Sequence, residues 1–148
     1  MAEIEALSGH TQSAIDRLGS VVQTSNEPEA IALLGVLHLR RGESTRGTRE
    51  IAEARRLYEL LLARNLLAFA DHGAEFYLGP GADPERAWVL AEQNLSNRQT
   101  ARAAALAIKA AEANGRYSEA CVLLQQYPDS VKSVQLQIWG PDYKSRSN

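Results

Sequence analysis

Apolar positions recur along this chain with the three-and-four spacing of helix faces, segment after segment. Ile15, Leu18 and Val22 fall on one face of the first segment, Ile31, Leu34 and Leu37 on one face of the second, and Ile51, Ala54, Leu57 and Leu61 on one face of the third. Turn-forming and helix-stopping residues gather between such segments, at positions 25–28, 41–43, 79–84, 114–115 and 127–129. The pattern predicts seven or eight helices. Asn26, Pro28 and Glu29 suit a helix start, as a cap, a residue with no N–H to lose and an acid at the positive end. Asp83 and Pro84 repeat that logic before the helix that carries Trp88. The segments 66–78 and 101–113 are apolar on most sides and predict inner helices packed on two neighbours. The last segment reads two ways. Val131, Val134 and Ile138 fit a helix stripe, whereas Val134, Leu136 and Ile138 alternate as a strand would. The reading taken is a capping helix over 129–139, followed by a frayed polar tail over 140–148.

Composition points to the same fold class. Apolar residues make up 45% of the chain and aromatics only 6%, so the apolar content is mostly alanine and leucine, both strong helix formers. The fold expected is all-α. A chain of 148 residues suits one domain, here 1–139, and at that size folding buries roughly 70% of the surface the unfolded chain exposes.

Aligning the starts of alternate helices brings out a repeat. The small residues Ala14, Gly47, Ala87 and Ala120 are each followed four positions on by an apolar one, Leu18, Ile51, Ala91 and Leu124, and are separated by 33, 40 and 33 residues. Within 28–61 the chain reads Ile31-x₂-Leu34-Gly35-x₂-His38, then Gly42, then Gly47-x₃-Ile51. In the last unit Gly115 stands at the turn, Tyr117 follows and fills the space beside it, and Ala120-x₃-Leu124 opens the second helix. This resembles the tetratricopeptide repeat family, whose unit of about 34 residues carries Trp-x₂-Leu-Gly-x₂-Tyr and then Ala-x₃-Phe. The match is degenerate. His38 replaces the tyrosine, Ala104, Ala107 and Ile108 stand where the last unit would have tryptophan, leucine and glycine, and the middle spacing is about seven residues too wide. A generic α-bundle is the alternative.

The resemblance implies stacked antiparallel helix pairs in a right-handed solenoid: a half repeat at 10–27, units at 28–61, 65–98 and 101–128, and the capping helix. It also implies a protein–protein interaction module whose first helices line a concave groove for a partner's peptide or helix. The groove positions would be Glu29, Leu33, Val36 and Arg40 in one unit, Arg102, Leu106, Lys109 and Glu112 in the last, and His72 and Phe76 between them. The lysine and asparagine set with which some members clamp a C-terminal carboxylate is not visible.

Charge and candidate chemistry change this little. A net charge of −2 and a pI near 5.9 give no global reason to expect nucleic acid or an anionic membrane as partner. Positions 40–64 hold seven arginines against four glutamates, but Arg46 with Glu50 and Arg49 with Glu53 sit one helical turn apart and are expected to pair. Apart from Tyr58, no aromatics are interleaved to stack bases. The chain has no apolar run long enough to span a membrane and no signal-peptide pattern at its start, so a cytoplasmic protein is expected, with a fragment of an exported chain as the alternative.

Asp71, His72 and Glu75 form the one compact polar cluster, on one helix face, but lack the spacing of a zinc hydrolase. They read as a polar stripe or a local hydrogen-bond network. The glycine-rich 79–84 lacks a Walker ending and a preceding strand, and reads as a connecting loop. Asn94-Leu95-Ser96 fits a glycosylation acceptor but falls inside a helical segment. Cys121, the single cysteine, is expected to be buried and inert, and His38 to be a packing residue. No cofactor, metal or catalytic group is expected. Two other functional classes stay open: an oligomerisation or capping piece of a larger protein, including a homodimer, and, ranked last, a metal-dependent enzyme built on Asp71, His72 and Glu75.

Overall fold

The computed structural model describes residues 11–133. Among them are seven α-helices and a 3-10 turn, and no strand. The helices are α1 (Thr11–Thr24), α2 (Pro28–Arg40), α3 (Ser44–Arg64), α4 (Leu66–Leu78), α5 (Pro84–Asn97), α6 (Ala101–Ala113) and α7 (Tyr117–Gln126). The protein is all-α. Where the length suggests one domain, the contacts divide the described chain into two compact units, 11–60 and 61–133. Such a division follows when helices pack mainly on their neighbours in sequence and few contacts reach further.

In the first unit, α1 packs on α2. Ala14, Ile15 and Leu18 meet Ala30, Leu33, Leu34 and Leu37 in one buried cluster, with Val22 at its edge. The stripe read from spacing is thus the core stripe, but α2 goes further: every residue from 30 to 38 is buried. Its other side meets α3 at a close approach. A Cβ built on Gly47 would lie 2.6 Å from the carbonyl oxygen of Gly35, and one built on Gly35 would lie 2.9 Å from that of Gly47. Two glycines facing each other let two helix backbones touch, which no larger residue permits. The start of α2 differs from the expected cap. Glu27 takes the N-cap position without a side-chain hydrogen bond, and Asn26 lies outside.

Gly19, in the middle of α1, is a different case. Among the described residues, nothing lies within 4 Å of the Cβ it lacks. Alanine there gains helix propensity and meets no obstacle, so Gly19→Ala should raise unfolding stability by about 0.5–1 kcal/mol. Urea denaturation checks this, and an unchanged or lower midpoint would contradict it.

In the second unit, α4 packs on α5, α5 on α6 and α6 on α7, and α4 also touches α6. Asn65, Asp83 and Thr100 cap α4, α5 and α6 by accepting from the backbone N–H three residues on. The loop at 79–83 is a connection folded tightly over Phe76: the Gly81 N–H donates to the Phe76 carbonyl at 2.8 Å, and a Cβ on Gly81 would stand 2.7 Å from the Phe76 ring. Gly115 ends α6 with φ +71°, the left-handed geometry that favours glycine.

The residues beside that turn tie α6 and α7 back to α5. Asn114 Nδ2 donates to Glu85 at 2.6 Å, and the Arg116 guanidinium lies 5.7 Å from the centre of the Trp88 ring. Tyr117, expected to fill space beside the turn, is 67% exposed. Ala120 is the one residue of α7 that is buried. The helix therefore lies at the surface, which also corrects the expectation for Cys121: its thiol is exposed. Of the expected capping helix, the described part is a 3-10 turn, Pro128–Ser133. The rest of 129–139 and the tail 140–148 lie outside the described residues.

Candidate binding cleft

The ten expected groove positions separate by burial. Leu33, Val36, Phe76 and Leu106 are at most 5% exposed, so they pack the interiors of their units and offer a partner no surface. Their apolar character is what buries them. Arg40, His72, Arg102 and Glu112 are exposed, and Glu29 and Lys109 half-buried.

The polar cluster on α4 splits as well. Glu75 is buried and accepts a hydrogen bond from Arg102 Nη2 of α6 at 3.2 Å. Burial pushes its carboxyl above the usual carboxylate range, and the Arg102 guanidinium opposes that shift. His72 is exposed, with Nε2 4.0 Å from Asp71 Oδ1. Among the described residues, no three His, Cys, Asp or Glu side chains are grouped so as to hold a metal ion. The reading of a local network applies to Glu75, which ties α4 to α6. Asn94 is buried within α5, so its side chain is closed to a glycosylating enzyme in the folded chain.

A cleft is present where spacing did not point to one. It lies in the first unit, has a volume of 490 Å³, and is walled by Gln12, Asp16, Gly19 and Gln23 of α1 on one side and by Arg41, Glu43 and Arg46 on the other. His38 reaches it from the end of α2. That ring is buried, and its Nδ1 lies 2.5 Å from Oε2 of Glu50 on α3. The other oxygen of Glu50 receives Arg46 Nε at 3.3 Å. Glu43 lies 3.4 Å from Arg41 Nε and 3.7 Å from Arg46 Nη1. Gln12 bridges the two walls: its Nε2 donates to Asp16 at 2.8 Å, and its Oε1 accepts from Arg41.

His38 is thus a packing residue with a second task. A polar ring following eight buried residues needs a partner, and that need was the signal available in sequence. The partner, twelve residues on, was hidden because it depends on how α2 crosses α3. Charge pairing on α3 was half legible. Arg46 meets Glu50 as expected, but Glu53 is taken by Arg56 at 2.7 Å and not by Arg49. The hydrogen bond from Arg56 holds the Glu53 carboxyl below its ordinary range.

No protein-family model matches the chain, and neither curated proteins nor solved structures give a match. No helix among the described residues is long and apolar enough to cross a membrane.

Proposed function

We propose that the chain is a protein–protein interaction module built from tetratricopeptide-like helix pairs, and that it acts by binding rather than by catalysis. The observation that carries this reading is the burial of all four small residues of the repeat register, Ala14, Gly47, Ala87 and Ala120. A buried small residue is what a close helix crossing calls for, and at Gly47 that crossing is with Gly35 of α2. The packing of α4 on both α5 and α6 adds support, since in stacked pairs a first helix meets its own partner and the first helix of the next pair. A solenoid of such pairs offers a partner's peptide or helix an extended surface.

Binding of synthetic peptide pools to the full chain tests the reading. Pools of basic, acidic and neutral apolar peptides are titrated and followed by fluorescence anisotropy, and saturable binding of at least one pool is expected. If none binds, the module reading is wrong.

A second reading has an observation of its own. Tyr117 and Val122 are 67% and 51% exposed on α7, beside the exposed Cys121, which suits a face used in assembly. Sedimentation across a concentration series separates the two readings: a constant monomer mass leaves the binder, and a rising mass favours assembly. For location we propose the cytoplasm, where an accessible lone thiol stays reduced.

A further inference from the structure

Charges in the cleft of the first unit are unevenly paired. Two guanidiniums, Arg41 and Arg46, line it with two carboxylates, Asp16 and Glu43, and Arg46 also meets Glu50 of α3 behind the lining. Glu43 stands between both arginines, and Glu50 is held by Arg46 and His38. Asp16 is the carboxylate left over. No cation is paired with it among the described residues, and its hydrogen bond comes from the neutral amide of Gln12. That same amide gives its oxygen to Arg41, so it stands between Arg41 and Asp16 in place of a direct pair.

The wall next to Asp16 is also open. Gly19 lies three residues on, along the same face of α1, and no described residue comes within 4 Å of where its side chain would begin. Gln23 follows one turn further and lines the same cleft. An exposed carboxylate, a gap and an amide in succession match a long cationic side chain: the aliphatic stem lies over Gly19 and the charged head meets Asp16. The cleft has little apolar lining and so does not suit a drug-like or lipid ligand.

We propose that this cleft seats a lysine or arginine side chain of a basic peptide segment from a partner, held by Asp16 across Gly19. The proposal rests on the reading of the chain as a binding module and names the chemistry of one contact. A partner of this kind binds more weakly as salt rises, because the pair lies within reach of solvent ions.

The test uses the full chain labelled with ¹⁵N and a short lysine-containing peptide, beside the same peptide with its lysine acetylated. The expected result is a shift of the Gly19 backbone amide and the Gln23 side-chain amide with the lysine peptide and not with the acetylated one. Asp16→Asn, at an exposed position, should fold normally and weaken that binding about fivefold. Gly19→Arg, which places a cation in the gap from within the chain, should abolish it. Equal shifts with both peptides, unchanged affinity in Asp16→Asn, or shifts confined to other residues overturn the proposal. If the peptide pools bind while the Gly19 signal stays still, this seat is wrong and the module reading stands. If no peptide binds anywhere, both fail.

Discussion

Replacing Gly47 by alanine should destabilise the protein by about 2–3 kcal/mol, although the same change in an exposed helix adds up to about 1 kcal/mol. The new methyl group would stand 2.6 Å from the Gly35 carbonyl oxygen and 2.7 Å from Leu39 Cγ. Leu39 is half-buried and its side chain turns aside at small cost, but the carbonyl belongs to α2 and moves only if the two helices part. Gly35→Ala meets the same crossing from the other side, with Gly47 O and Ile51 Cγ1 both at 2.9 Å. One separation of the helices relieves both clashes. The double variant should therefore lose clearly less than the sum of the two single losses. Parting α2 from α3 also stretches the contact between His38 and Glu50, so the His38 ring signal should change in both variants. Urea denaturation, with Gly19→Ala as the contrasting case, checks the prediction. A Gly47→Ala protein as stable as the parent would show that the crossing is looser than described.

The second large effect is expected at Glu75. Removing its partner with Arg102→Ala should cost about 1–3 kcal/mol near neutral pH, because a buried carboxylate is left without its guanidinium. The cost should depend on pH in a definite direction. Burial already raises the Glu75 pKa above the ordinary carboxylate value of 4.5, and Arg102 holds that rise down, so the variant's native pKa climbs further. The folded variant then binds the proton more tightly than the unfolded chain does. Its stability contribution is complete below 4.5 and is lost as pH rises through the raised native value. The gap between variant and parent should thus be widest at neutral pH and close on acidification. Thermal unfolding of both proteins across that range measures it, with Arg102→Lys as the charge-preserving control. A gap that is constant with pH would mean that Arg102 acts through packing and not through the Glu75 charge.

Much of the helix framework was legible. Ile15, Leu18, Ile31, Leu34 and Leu37 are buried as their spacing demands, while Ile51, Leu57 and Leu61 of α3 are only half-buried. The repeat register picks out Gly47, which sits at a close helix contact, Ala120, which is buried, and the turn glycines Gly42 and Gly115, which take positive φ. The spacing in α2 marks one apolar face, whereas its small residues let it pack on both. The site was far less legible. Candidate groove residues were chosen by position in the repeat, and the apolar four among them turned out to be core. The cleft draws on α1, the end of α2 and the start of α3, so no single periodicity contains it.

By itself the sequence determined the all-α class, the places where helices begin and end, and the small residues at their crossings. Those are local properties: backbone preference, turn chemistry and side-chain size act within a few residues of one another. The tertiary structure alone decided that His38 meets Glu50, that Glu75 turns inward to Arg102 while His72 faces solvent, and that among the described residues no cation pairs with Asp16. Each of these depends on the rotation of one helix against another. A shift of one residue, about 100° around a helix, would exchange every one of those partners.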